Sequence, residues 1–415
     1  MSDTTPDRKE SGFKERTRVV DAREHLRRAV EPHGRTESSP LEAADGRVVA
    51  EPVRADRNVP HYARAAMDGY AVRAADTVGA SDRSPEVLRI ADGGSESEQV
   101  QVNPNTAVRV HTGSELPAGA DAVVMIEDVE EVGRELEVFD AVADGENVAP
   151  VGEDVDAGRE LFEPGHRLRP SDLGLCKAVG VETLTVVERP TVAVIPTGEE
   201  LVQDDPAPGE IVETNGLTVS RLVERWGGTA RYRDVATDDP DVLREAIESD
   251  LDADAVVTTG GSSVGERDLV PETIDELGDV LVHGVALKPG HPVALGIVDE
   301  TPVLALPGYP VACIVNAVQF LRPTIRWLEG ATPEPLPSVE ARLDRKIDSA
   351  PGTRTFARVS LSEEPGGRVA VPTRASGAGV LSSVALADGW VVVPEAREGI
   401  PADERVSVQL WEWSG

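Results

Sequence analysis

A chain of 415 residues exceeds what one hydrophobic core organises, so two to four domains are expected. Its 75 acidic against 41 basic residues give a formal charge of -34, and lysine is confined to Lys9, Lys14, Lys177, Lys288 and Lys346, a surface suited to a halophile's cytoplasm, where the screening length falls to about 3 Å near molar salt. That balance excludes a broad nucleic-acid face, the lack of a long apolar run excludes a membrane span or secretory signal, and Cys176 and Cys313, far apart and outside any CxxC pair, exclude a zinc or iron-sulfur site.

Residues 1–17 read as a disordered polar leader. Val19 to Val30 carries apolar residues at helical spacing, and Leu41 to Val53 reads as a second short helix before the chain turns β-rich from about Asp56 to Pro150, with runs such as Ala107 to Val110 and Ala122 to Ile126. Helix returns at Ser171 to Val179. Strands and helices then alternate: strand Thr191 to Ile195, helix Leu217 to Trp226, strand Ala255 to Thr259, and a helix from Val311 to Phe320, the order of a parallel three-layer α/β domain. Beyond the proline-rich Thr332 to Pro337, strands Phe356 to Leu361, Arg368 to Val371 and Gly389 to Val393 predict a small β domain.

Ligands of open α/β sheets bind beyond the carboxyl ends of the strands. There the chain places a glycine- and hydroxyl-rich loop after Ala255 to Thr259. Gly260, Gly261 and Gly265 allow close backbone approach, Thr259, Ser262 and Ser263 supply hydroxyls for a phosphate, and Asp268 follows. The loop is neither a Walker A sequence nor GxGxxG. Pro196-Thr-Gly-Glu-Glu200 ends the neighbouring strand, and Glu199 or Glu200 could hold a divalent cation. Lys288 and His291 flank a Pro-Gly turn, where a rare ammonium donates charge-assisted hydrogen bonds worth roughly 1.5 to 3 kcal/mol each when sheltered. Leu304 to Val311 enters a second Pro-Gly turn whose following helix N-terminus can face an anion, while Cys313 on that helix reads as a buried apolar residue. Asp68, before Gly69, and Asp154, in Val151 to Val155, add carboxylates, and an isolated Asp-Gly is by itself a turn.

In chain order the segments MDGYA, HTGSELPAGADAVVM, GEDV, PTGEEL, TTGGSSVGERD, LKPGHP and LPGYPV resemble the molybdopterin molybdenumtransferase family, which includes the E domain of gephyrin. The likeness runs from about Val19 to the C-terminus. It implies a multi-domain α/β plus β fold: a helical base over 18–55 and 150–188, a β-rich insertion over 56–149, a three-layer α/β molybdopterin-binding domain over 189–335, and a β barrel over 336–415. It also implies a homodimer with a shared active site. The activity it implies is insertion of molybdenum from molybdate into adenylylated molybdopterin, with release of AMP and dependence on Mg²⁺. Molybdopterin adenylyltransferase is the partner enzyme it points to.

Carried over by motif, Asp68, Thr112, Asp154, Glu200, Asp268 and Lys288 are the catalytic positions, with Glu200 and Asp268 toward the metal. Thr259, Gly260, Gly261, Ser262, Ser263, Gly265, His291, Pro307, Gly308 and Pro310 contact substrate, and Arg354, Arg358 and Ser376 to Gly379 are the counterparts in the last domain. Two departures touch the anion site: His291 stands where the family commonly has lysine or arginine, and Tyr309 replaces a frequent asparagine. Tungstate insertion by the same chemistry and a non-catalytic scaffold paralogue are the competing readings. The β insertion and terminal barrel argue against a pterin adenylyltransferase, which resembles the α/β domain alone.

Overall fold

The computed structural model describes residues 16–91, 100–260, 269–373 and 377–413. Nearly all of the expected leader, and the site positions Gly261, Ser262, Ser263, Gly265, Asp268 and Ser376, lie outside the described residues. Thr17 is already paired, donating to the Gly284 carbonyl (3.1 Å) and accepting from the Ala286 amide (2.8 Å).

The α/β domain is built on a six-stranded sheet ordered Thr229–Tyr232, Thr191–Pro196, Ala255–Thr259, Thr301–Leu306, Ala294–Val298, Asp279–His283. The first four strands run parallel, and Ala294–Val298 runs antiparallel to both its neighbours. A strictly parallel sheet is avoided because a two-residue hairpin joins Ala294–Val298 to Thr301–Leu306, with Asp299 (φ 45°) and Glu300 (φ 70°) both left-handed, the geometry of a type I′ turn. Left-handed backbone strains a residue with a Cβ by roughly 1 to 2 kcal/mol. Glu300→Gly is therefore expected to raise stability by about 1 kcal/mol, read as a higher denaturation midpoint, and an unchanged midpoint rejects the strain.

Alternation along the buried strands separates two cores. Val192 and Val194 face one helical layer, formed by Val19–Ala29, Asn215–Arg225 and the long helix from Pro310, while Ala193 and Ile195 face Pro240–Glu248 and Leu269–Leu277. The long helix is interrupted: α-helix Pro310–Asn316 passes through a π turn at Ala317–Leu321 before α-helix Arg322–Leu328. Pro323 explains the slip. It has no N–H for the Gln319 carbonyl four residues back, and Arg23 from the first helix serves that carbonyl instead (3.2 Å), with a second bond to Gln319 Oε1 (2.8 Å).

The residues 36–55 and 160–188 contain the antiparallel pair Thr36–Pro40 with Thr183–Val187 and the helix Pro170–Ala178. The Leu41 to Val53 helix is corrected: one 3-10 turn, Leu41–Ala43, is followed by a left-handed Gly46 (φ 71°), and Val48 and Val49 then bridge to Arg167 and Val186. Between these segments lies a six-stranded sheet, ordered Ala122–Met125, Gly69–Val72, Thr106–Val110, Glu86–Ile90, Glu135–Val138, Val129–Val132. At the C-terminus Arg354–Glu364, Gly367–Pro372, Ser338–Leu343, Arg405–Gln409 and Gly389–Val393 close a five-stranded barrel, since the last strand pairs back onto the first. Phe356, Trp390 and Trp411 join the α/β core, which docks the barrel on the helical layer.

Candidate active site at the carboxyl edge of the sheet

Three loops meet where the central strands end. Gly260 has φ 140°, and a Cβ there would stand 2.2 Å from the Thr197 carbonyl oxygen, so Gly260 lies directly on the Pro196-Thr-Gly-Glu-Glu loop. The Gly260 amide donates to Leu306 O (3.0 Å), and a Cβ on Gly308 would lie 3.5 Å from Gly260 Cα. The sequence-predicted Thr259, Gly260, Pro307 and Gly308 thus share one rim. Thr259 itself is 1% exposed and its hydroxyl is buried without a hydrogen-bond partner among the described residues, so it lines the floor beneath the rim.

The start of helix Asn215–Arg225 is fitted into the same corner. Gly216 is required, because a Cβ would stand 2.6 Å from the Tyr232 ring and 2.8 Å from Pro196. Buried Glu213 accepts from the Gly216 amide (2.6 Å) and from the Tyr232 hydroxyl, and burial together with that carboxylate pushes the Tyr232 phenol up to about 12. Asn215 then donates its side-chain amide to Gly308 O at 2.6 Å. Sequence reasoning passed over Asn215, although its signal was a polar side chain opening a helix just past a strand.

The turn carrying Lys288 is clamped from below. Gly290 (φ 105°) packs on the long helix, where a Cβ would meet Asn316 Nδ2 at 2.2 Å and Ala312 O at 3.1 Å. Asn316 is fully buried and donates to both Gly290 O (2.9 Å) and Ala312 O (2.8 Å). Leu287 and Lys288 pair in parallel with Arg354 and Thr355 of the barrel, leaving the Lys288 side chain exposed. Contacts therefore run without a break from Gly260 through Gly308 and the Pro310 helix to Gly290 and Lys288. Half-buried His291 closes that turn, and burial followed by the nearby Arg16 holds its imidazole below the ordinary range, so it is neutral at pH 7.

The helix beginning at Pro310 does not offer its first amide to an anion. Pro310 has none, and Val311 N–H donates to Ala378 O (2.9 Å), so a barrel loop occupies the position expected for ligand. That loop also receives Arg358, whose Nη2 lies 3.5 Å from Gly377 O, while Gly379 backs onto the Tyr309 ring. Tyr309 is 66% exposed beside the rim. Arg354 is committed to Glu395 (3.1 Å). Cys313 is buried and its thiol pushed up by burial, as an apolar reading requires.

Glu200 and its neighbour Glu199 face Asp238, which follows the Thr229–Tyr232 strand. Desolvation, then the Glu200 carboxylate, push Asp238 above the ordinary carboxylate range. Asp238 was missed in the sequence because its strand is short and polar. Among the described residues no three acids, histidines or cysteines converge as a metal cage.

Asp68 and Thr112 belong to the β insertion and pair with each other: the Thr112 amide (2.7 Å) and hydroxyl (3.0 Å) both donate to Asp68 Oδ1, and these two bonds hold the carboxyl below its usual range. Asp154 sits on a separate exposed turn, its amide bonded to Val59 O (3.0 Å). Among the described residues, no hydrogen bond or ion pair joins these three to the rim of the same chain.

Residues 17–180 match the family described as "MoeA N-terminal region (domain I and II)", residues 193–327 the "Probable molybdopterin binding domain", and residues 340–411 the "MoeA C-terminal region (domain IV)". A Methanocaldococcus jannaschii protein named for molybdopterin biosynthesis is 37% identical over 375 residues, 88% of this chain and 89% of that one. Molybdopterin molybdenumtransferase of Bacillus subtilis is 33% identical over 401 residues, 92% and 93% of the two chains. The crystal structure of the molybdopterin biosynthesis moeA protein from Pyrococcus horikoshii superposes with a TM-score of 0.80 at 31% identity, covering 95% of this chain and all of that one (100%).

Proposed function

The chain belongs to the molybdopterin molybdenumtransferase family, and from that premise we propose that it transfers molybdenum from molybdate to the dithiolene of adenylylated molybdopterin, releasing AMP. The observation that carries this reading is the continuous rim from Gly260 to Lys288, which pairs close backbone approach, suited to a nucleotide-linked pterin, with an exposed ammonium suited to an oxyanion. No covalent protein intermediate is needed. Positioning and charge neutralisation do the work: Gly260 and Gly308 leave room for the phosphate, Lys288 holds oxyanion charge, and the Asn215 and Asn316 clamps keep these loops in register.

Magnesium fits the acidic corner. Glu200 and Asp238 offer hard oxygen donors, and Asp238 is pushed up first by burial and then by the Glu200 carboxylate, a repulsion that a cation would relieve. Asp268 is the third expected donor. When bound there, the cation would neutralise phosphate charge beside the carboxylates. Asp68 and Thr112, apart from the rim within one chain, fit a homodimer in which each β insertion completes the partner's pocket.

The test supplies adenylylated molybdopterin, Mg²⁺ and molybdate to the purified chain and measures AMP. Molybdate-dependent release is expected, and none at saturating molybdate favours a non-catalytic scaffold. Lys288→Ala is expected to raise the molybdate concentration for half-maximal rate about tenfold or more, the loss of one charge-assisted contact. An unchanged requirement removes Lys288 from the site. His291→Lys restores a cation to a turn whose imidazole is neutral, and about tenfold tighter molybdate binding at pH 7.5 is expected by equilibrium dialysis. Equal or weaker binding would place His291 outside the anion site. Metal analysis of the product separates molybdate from tungstate use.

A further inference from the structure

Tyr309 stands beside the rim with its ring in the open. It is 66% exposed, against 38% for Tyr232, the other exposed tyrosine. Tyr232 commits its hydroxyl to Glu213, whereas among the described residues the Tyr309 hydroxyl has no hydrogen-bond partner and no second ring stacks on its face. Resting on the molybdenumtransferase reading, we propose that Tyr309 is a stacking platform for a fused heteroaromatic ring of the substrate, the adenine or the pterin.

The ring is exposed but not loose. Its backbone is fixed on both sides, since Asn215 holds the Gly308 carbonyl (2.6 Å) and the Tyr309 carbonyl accepts from the Cys313 amide (2.9 Å). The barrel supports the ring itself. Val311 N–H pins the loop through Ala378 O (2.9 Å), and a Cβ on Gly379 would lie 3.3 Å from Tyr309 Cδ1 and 3.6 Å from Cε1. A tyrosine has only two side-chain torsions, so a ring braced in this way offers contact area at little entropic cost.

Position and chemistry select the ligand class. Tyr309 follows Gly308 directly, about 3.8 Å of backbone away, and Gly308 packs on Gly260 where the phosphate is proposed to sit. A ring joined to that phosphate comes within the tyrosine's reach. The first turn of the helix does not compete for it with charge, because Pro310 has no amide and that of Val311 is taken by Ala378. What this shoulder presents is a polarised aromatic face, which pairs by offset stacking. Stacking needs no Coulombic attraction, an advantage in a chain of formal charge -34 that must hold an anionic substrate.

Calorimetric titration of the full-length chain with AMP, with pterin and with ribose 5-phosphate tests the platform without catalysis. Tyr309→Ala is expected to weaken AMP or pterin about tenfold or more, and the ring that loses affinity is the one stacked. Ribose 5-phosphate, which has the phosphate and no base, should bind the variant as it binds the wild type. Tyr309→Phe keeps the face without the hydroxyl and should match the wild type, while Tyr309→Asn should match the alanine variant. Wild-type protein that binds neither ring, an equal loss for ribose 5-phosphate, or a phenylalanine variant as weak as alanine overturns the platform. Molybdate-dependent AMP release by the wild type, measured alongside, keeps the two readings apart. Release with ring affinity indifferent to Tyr309 rejects the platform alone, and Tyr309-dependent ring binding without release rejects the catalytic reading while the platform stands.

Discussion

Gly260→Ala is expected to remove turnover almost completely, by about a hundredfold or more. The added Cβ would stand 2.2 Å from the Thr197 carbonyl, on backbone at φ 140° that residues with side chains rarely adopt. The contact is backbone against backbone, so no side-chain rotation relieves it, and the loops after two adjacent strands must part. A local strain of roughly 2 to 4 kcal/mol follows. It falls on the contact that sets Gly260 against the turn leading to Glu199 and Glu200. Steady-state AMP release with a parallel melting curve separates the two effects, and a folded variant with wild-type rate would dissolve the rim as a functional unit.

Asp68→Ala should show the converse balance, with turnover falling about a hundredfold and stability moving by no more than roughly 0.5 kcal/mol. Asp68 is exposed, and among the described residues its carboxylate accepts hydrogen bonds from the Thr112 amide and hydroxyl. Those bonds favour the ionised carboxyl, so the side chain is a fixed negative charge at neutral pH. Asp68→Asn keeps the shape and one acceptor while removing the charge. A rate near that of Asp68→Ala would assign the effect to charge, and a wild-type rate in the alanine variant would reject the role of Asp68.

Largely buried strands were legible in the sequence. Ala255–Thr259 and Gly389–Val393 were read to the residue because burial leaves each with a run of consecutive β-branched or aromatic residues. Leu41, Ala44, Val48 and Val53 have the spacing of a helical stripe, yet Asp45-Gly46 turns the chain and the two valines after Arg47 find β partners. Sequence periodicity does not weigh that tertiary pairing. The hairpin at Asp299-Glu300 carries no Asn-Gly signal, which hid the antiparallel strand.

The rim itself was legible as a set of loops, because glycine with proline at strand ends has few other uses. What joins those loops was not. Asn215, Asn316 and Asp238 act through distances of 2.6 to 2.9 Å or through charge across loops that are remote in sequence. Asn316 left a trace as well, as a polar side chain inside the apolar run Val311 to Phe320. The barrel loop covering the Val311 amide could not be foreseen from the helix that it caps.

The most direct test of the central claim is transfer of the product. The chain is incubated with adenylylated molybdopterin, Mg²⁺ and molybdate, and the mixture is then offered to a molybdoenzyme stripped of its cofactor. Recovery of that enzyme's activity, dependent on molybdate and absent with Gly260→Ala, is the predicted result. No recovery, under conditions where finished molybdenum cofactor restores the same enzyme, would contradict the account.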